Sequence, residues 1–218
     1  MKRYTFGIQL LLSLFGLCYC LSLQAGSLAI QIVDDKHEPL ADAVVYLTSE
    51  QPHALAVNES FEIEQKNKTF HPFVTIMPTG ATASFPNRDG IGHHVYSFSP
   101  AKNFQLPLSE HESTEKLTFN KPGVVTVGCN IHDWMVAYIY VVDTDYYAKT
   151  GADGHAAIDN LPAGEYTIYI AHPGMKSVQP LTQSINVAVD GENRLEFSLQ
   201  IKPRYFWQPA PRMHEEVY

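Results

Sequence analysis

Within seven residues, Cys129-Asn130-Ile131-His132-Asp133-Trp134-Met135, the chain offers a thiolate, an imidazole and a thioether. They follow directly on the apolar run Val124-Val125-Thr126-Val127, so a strand delivers them into a loop. One chemistry calls for these three donors together. An ion cycling between Cu(I) and Cu(II) needs soft sulfur for the reduced state and imidazole nitrogen for the oxidised one. Two histidines and a cysteine form a trigonal plane around such an ion, and a long, weak methionine bond lies on its axis. The loop supplies one histidine, so the second must come from elsewhere in the chain. Taken singly, a cysteine is most often a small buried hydrophobe and a methionine is core filler. Their joint appearance at ligand spacing behind a strand weighs against that bland reading.

The upstream run Phe85-Pro86-Asn87-Arg88-Asp89-Gly90-Ile91-Gly92-His93-His94-Val95 is a loop rich in turn residues that leads into the alternating Val95-Tyr96-Ser97-Phe98. Here the chain resembles the cupredoxins, or small blue copper proteins, whose upstream ligand sits in His-Asn-Val or a close variant. The corresponding run is His93-His94-Val95, and the Cys, His, Met spacing is similar to the short loop of the amicyanin type. The resemblance implies one mononuclear type 1 copper held by His93, Cys129, His132 and Met135. His94 is the neighbouring alternative to His93. It also replaces the asparagine that ordinarily ties the two ligand loops together, and Asp133-Trp134 stand where the family has a proline and an aromatic. Both departures bear on the potential and rigidity of the site, not on its donors. Nothing in these residues points to methylamine utilisation, the pathway of some relatives.

Cysteine usage argues independently for a metal. Lys2 and Arg3, an apolar run over 8–23 and Gln24-Ala25-Gly26 read as a secretory signal peptide over residues 1–25, which contains Cys18 and Cys20. The chain expected in the periplasm then keeps one thiol, Cys129, in an oxidising compartment where an unoccupied thiol is a liability. No membrane span is expected once the leader is cleaved. Residues 1–25 hold two basic and no acidic groups, so 13 basic against 23 acidic residues leave a formal charge of −10. Such a chain is a poor nucleic-acid binder and attracts basic partners, for example a c-type cytochrome or a dehydrogenase.

Several classes are excluded by count. A binuclear electron-transfer centre needs two bridging cysteines, and multicopper oxidases need His-X-His pairs that this chain lacks. Cys129 with His132 on one loop lacks an orienting third group for nucleophilic catalysis. Phosphate-loop and dinucleotide fingerprints do not occur. The expectation is therefore a carrier of single electrons and not an enzyme. The alternatives are a copper accessory or storage protein without redox turnover, or a binding module with structural copper. His37, His53, His71, His111, His155, His172 and His214 read as surface or turn residues, with His71 placed to pack near the site.

The elements around the loop read as all-β. Strands are expected over 69–76, 83–85, 95–98, 115–119 and 137–141, separated by Gly and Pro turns. Residues 27–50 read as strand, turn, strand, and with Leu161-Pro162-Ala163-Gly164 before a Tyr-containing strand they resemble the transthyretin-like or carboxypeptidase-regulatory-like β-sandwiches. The strands 184–189 and 194–201 are joined by Asp190-Gly191-Glu192-Asn193, a hairpin signal. The expected architecture is a Greek-key cupredoxin β-sandwich over 51–142, inserted in a transthyretin-like sandwich made of 27–50 and 143–202. Tandem domains are the simpler alternative. The tail 203–218 either docks on its own domain or a partner, or is a loose end.

Overall fold

The structure, a computed structural model, describes residues 25–50, 55, 59–107, 115–188 and 192–208. All but the last residue of the expected leader, His53, His111, His214 and the tail beyond 208 lie outside the described residues. The described chain is all-β, and none of its helices is long and apolar enough to cross a membrane. In chain order its strands are β1 (Ala25–Asp34), β2 (Val44–Thr48), β3 (Ser60–Glu62), β4 (Glu64–Lys66), β5 (Thr69–His71) and β6 (Val74–Pro78). There follow β7 (Thr82–Ser84), β8 (Val95–Ser99), β9 (Lys102–Gln105), β10 (Lys116–Thr118), β11 (Gly123–Cys129) and β12 (Val136–Val142). The last are β13 (Tyr147–Lys149), β14 (His155–Pro162), β15 (Gly164–Ala171), β16 (Leu181–Val187) and β17 (Glu192–Leu199).

Two sheets of order β6-β12-β11-β8-β9 and β10-β7-β3, with the β4-β5 hairpin, enclose one core. Period-2 alternation builds it: Val125, Val127 and Cys129 of β11 and Ala137, Ile139 and Val141 of β12 face inward, against Ala83, Phe85, Phe104 and Phe119. A second core lies between the sheets β14-β1-β17 and β13-β2-β15-β16, whose strands come only from residues before 49 and after 146. Leu28, Ile30 and Ile32 of β1 there meet Val45 and Leu47 of β2 and Ile168 and Ile170 of β15.

A third, smaller cluster joins the two. The residues of β12 and β6 that point away from the first core, Tyr140, Val142, Val74 and Ile76, pack on Val44 of β2. Strand β6 is therefore buried at all five positions, and apart from Thr75 its sequence is apolar on both faces instead of alternating. Lys149 Nζ also crosses this junction, to Asp42 Oδ1 at 2.8 Å and the Val74 carbonyl at 3.0 Å. A half-exposed ion pair contributes about 0–1 kcal/mol. Each fully buried Val or Ile contributes roughly 1.5–3 kcal/mol, so apolar packing dominates the junction.

Two expected hairpins are not formed. β1 and β2 lie in different sheets and meet only face to face across the second core, the one ladder-type bridge of this turn joining Val33 of β1 to Pro39 ahead of β2, and β16 pairs with β15 while β17 runs parallel to β1. The turn chemistry is real: Asp34 Oδ1 accepts the amides of Lys36 and Glu38 at 2.8 and 3.0 Å. It reverses the chain, but burial of the opposite faces of β1 and β2 in one core sends the second strand to the facing sheet. The expected strand over 69–76 is split into β5 and β6 at Pro72, which has no amide to give to a ladder. Three-residue strands β3 and β4 and the strand β9 were not expected.

The start of the tail folds back on the chain. After a short 3-10 turn (Arg204–Phe206), Trp207 donates its indole N–H to the Lys202 carbonyl at 3.0 Å, and its own carbonyl accepts the Tyr138 hydroxyl at 3.1 Å. Its ring lies 4.7 Å from that of His172, edge to face. His172 opens a turn, as expected, but it is buried, and its Nδ1 accepts the Gly174 amide at 2.9 Å. Burial disfavours the imidazolium and pulls His172 down to about 4 from the ordinary 6.5. The unfolded chain thus takes up this proton first, so stability falls as pH drops from 6.5 towards about 4. The loss attributable to His172 is on the order of 3 kcal/mol. Urea unfolding across this window should show a shallower acid loss in His172→Phe than in the native chain; equal slopes would sink the assignment.

Candidate metal centre

Cys129 is the last inward residue of β11, so its thiol points into the first core and is the free cysteine of the described residues. Beyond it the chain makes a compact excursion. Gly128 pairs with Val136 in the β11-β12 ladder, and the loop between closes through Met135 N–H to the His132 carbonyl at 2.9 Å and Cys129 N–H to the Met135 carbonyl at 3.3 Å. The Ile131 amide points at Cys129 Sγ, 3.4 Å away. Short loops of this kind leave few conformations, so the ladder register determines where His132 stands.

The second histidine arrives by register too. β8 pairs with β11 so that Val95 lies opposite Cys129. His93, two residues before Val95, shares its inward face. His93 Nδ1 lies 3.8 Å from Cys129 Sγ, and His132 Nδ1 lies 3.9 Å from it. The ligand atoms of His93, Cys129 and His132 all fall within 4.8 Å of one another. His94, on the other face, contributes instead its backbone carbonyl, which accepts the Asn130 amide at 3.0 Å. Met135 is buried in the same core cluster as Cys129. His71 is exposed, bonded through Nε2 to Thr69 Oγ1 at 2.7 Å, and lines a cavity of about 590 Å³ together with Trp134 and Met135.

The geometry fits an ion. A first-row metal takes imidazole nitrogen at about 2.0 Å and thiolate sulfur at about 2.3 Å, which in a trigonal plane sets sulfur and nitrogen about 3.7 Å apart. The protonation pattern fits as well. His93 Nε2 lies 2.9 Å from Asp89 Oδ2, and that carboxylate also accepts the amides of Asn67 at 2.6 Å and Lys68 at 2.9 Å. Burial works to raise Asp89, but these bonds outweigh it and hold the group below the ordinary carboxylate value. A carboxylate can only accept, so Nε2 carries a proton, and Nδ1 is the nitrogen that faces the thiol: protonated, it donates to the thiolate, and unprotonated, it offers its lone pair to a metal.

Asp89 is the residue that sequence reasoning missed. It stands four positions before His93 in a segment whose Asn-Arg-Asp-Gly composition signals only a turn. Trp134, noted as a departure, donates its indole N–H to the Lys68 carbonyl at 3.1 Å, and its ring centroid is 5.2 Å from that of His132.

Burial pushes the Cys129 thiol up, but the bonds from His93 and from the backbone amides around the loop outweigh it and bring the thiol down to about 6. In the metal-free protein the ultraviolet absorbance of the thiolate should therefore titrate near pH 6, with its midpoint shifted upward in His93→Ala. A midpoint near that of free cysteine would contradict this account.

No protein-family model matches the chain, and no curated protein does. Among solved structures the chain is similar to a novel purple cupredoxin from Nitrosopumilus maritimus, at 22% identity over 37% of this chain and 98% of that one, with a TM-score of 0.33. It is also similar to a reduced Cu(I) form of a variant amicyanin, at 20% identity over 45% of this chain and 98% of that one, TM-score 0.36. A copper-containing nitrite reductase from Thermus scotoductus SA-01 is similar at 21% identity over 53% of this chain and 28% of that one, TM-score 0.37.

Proposed function

We propose that this chain is a type 1 copper protein that passes single electrons between redox partners and catalyses no reaction of its own. His93, Cys129 and His132 form the equatorial plane and Met135 is the weak axial donor. The observation that carries the reading is the placement of two imidazole Nδ1 atoms at 3.8 and 3.9 Å from one thiol, the spacing of a trigonal site. Burial supports a carrier over a delivery protein. The three donors are 2%, 4% and 9% exposed, which suits an ion that stays while the electron moves and suits poorly one handed to a partner's ligands.

The route out is His132, the most exposed of the three, beside Ile131, which is 48% exposed. Ile91 of the other donor loop is exposed as well. An apolar rim of this kind suits a docked redox protein such as a c-type cytochrome or a dehydrogenase, and the acidic chain favours a basic one. Secretion to the periplasm through the 1–25 leader completes the reading. The domain reading goes with it: 51–142 is the copper domain, set into a loop of a sandwich made of 27–50 and 143–202. The pairing of β1 with β14 and β17, and of β2 with β13 and β15, supports that arrangement.

Adding Cu(II) to the metal-free chain should give a strongly coloured 1:1 complex with an intense thiolate-to-copper band and reversible one-electron chemistry. The band should vanish in Cys129→Ala. In Met135→Leu it should remain while the potential rises, because loss of the axial donor disfavours Cu(II). A colourless complex would overturn the proposal, and rapid copper exchange without reversible reduction would point to a storage or delivery protein.

A further inference from the structure

The hairpin of β4 and β5 supplies no donor, yet its turn touches both donor loops. Asn67 and Lys68, the two turn residues, both have φ of 54°. Two-residue hairpin turns of this type favour Asn followed by Gly, because a side chain at the second position meets the backbone. Asn67 suits the first position, but lysine occupies the second, so the turn is only partly specified by its own residues. Its conformation is held from outside. The Asp89 carboxylate binds the Asn67 amide with one oxygen, at 2.6 Å, and the Lys68 amide with the other, at 2.9 Å. The Trp134 indole donates to the Lys68 carbonyl, at 3.1 Å.

The same Asp89 oxygen that takes the Lys68 amide also takes His93 Nε2, at 2.9 Å. A continuous chain of hydrogen bonds thus runs from His93 through Asp89 to the turn, and from the turn to Trp134, which is bonded in sequence between His132 and Met135. One donor loop carries Asp89 and His93, and the other carries Cys129, His132, Trp134 and Met135. The loops also meet directly, through the backbone bond from Asn130 to His94 at 3.0 Å and through the Cys129 thiol, which faces His93 Nδ1 at 3.8 Å.

We propose that the Asn67-Lys68 turn is a clip that holds the two donor loops at fixed separation, with Asp89 and Trp134 as positioning residues that act on the metal site through it. The clip uses groups that are not themselves donors, so it can set the orientation of the His93 ring without entering the coordination sphere. Hydrogen bonding of the far imidazole nitrogen to a carboxylate makes the near nitrogen a better donor, which favours the oxidised ion.

The proposal rests on the copper reading for its metal readouts but not for its metal-free ones. In the full chain, Asp89→Asn should weaken Cu(II) binding 10- to 100-fold and raise the potential. Asp89→Glu should recover part of the affinity. Trp134→Phe keeps the buried ring, touches neither Asp89 nor His93, and should shift copper affinity and the electron paramagnetic resonance of the copper in the same direction but less. In metal-free protein the nuclear magnetic resonance signal of the His93 Nε2 proton should move in Trp134→Phe, and amide exchange at Asn67 and Lys68 should quicken in Asp89→Asn. The double variant should lose little more affinity than Asp89→Asn alone, since both act through one turn. If Trp134→Phe leaves the His93 proton and the copper signal as in the native chain, or if the two effects add, the clip is wrong. If Trp134→Phe does not fold, unchanged exchange at Asn67 and Lys68 in Asp89→Asn is the overturning result. A native chain that binds no copper would sink the copper reading alone, since the His93 proton still decides the clip.

Discussion

The rest of the structure depends on one close approach: a thiol and two imidazole nitrogens held within 4.8 Å of one another in a place nearly closed to water. Such groups do not gather by themselves. Burying a polar atom without a good partner costs free energy, and a thiolate costs more than a neutral group. In the metal-free protein the cluster is balanced electrostatically. Burial disfavours charge at His93 and Cys129 alike, yet their mutual contact raises the imidazole and lowers the thiol, helped at His93 by the Asp89 carboxylate and at Cys129 by the backbone amides of Ile131, His132 and His94. On the copper reading proposed above, a site preformed in this way would have its shape before an ion arrived, which would keep the geometry similar in two oxidation states.

The scaffold achieves this by ladder register. β11 lies between β12 and β8, so a single residue, Cys129, is flanked by the strand that begins after Met135 and the strand that begins after His93. A slip of one residue in either ladder would turn Cys129 or His93 to the opposite face. β12 is guarded against such a slip because its two faces are both buried, with Ala137, Ile139 and Val141 in one core and Tyr140 and Val142 in the junction with β2. The second sandwich therefore contributes to the site at a distance, by covering the back of the strand that anchors the donor loop.

Much of this was legible in the residues and some was not, for definite physical reasons. That Cys129 and His132 stand together could be read because a single loop contains them, and alternation in β11, β12 and β15 was plain. Asp89 was invisible because an aspartate in a turn is ordinarily a turn former, and its role comes from three partners, two of them more than twenty residues away. Strand β4, Glu64-Gln65-Lys66, has no apolar pattern; Gln65 is buried all the same, its amide bonded to the Phe85 carbonyl at 2.7 Å. The misread hairpins share one cause. A turn motif tells where a chain reverses, whereas the sheet a strand joins depends on which of its faces must be covered, and in a sandwich that is often the facing sheet.

The two histidines differ in a way that follows from these contacts. His93 is 2% exposed, its far nitrogen bonded to a carboxylate that is itself bonded to two amides. His132 sits at the outer bend of a loop, against the ring of Trp134 and next to the exposed Ile131. One side of the cluster is thus made stiff by hydrogen bonds and the other lies close to solvent. Under the proposed electron-carrier reading, in which an ion stays while its electron leaves, this asymmetry would separate two demands that one histidine could not meet. In that reading the buried side would set the geometry, so that the outer side could lie within reach of a docked surface without admitting the water that would loosen the donors.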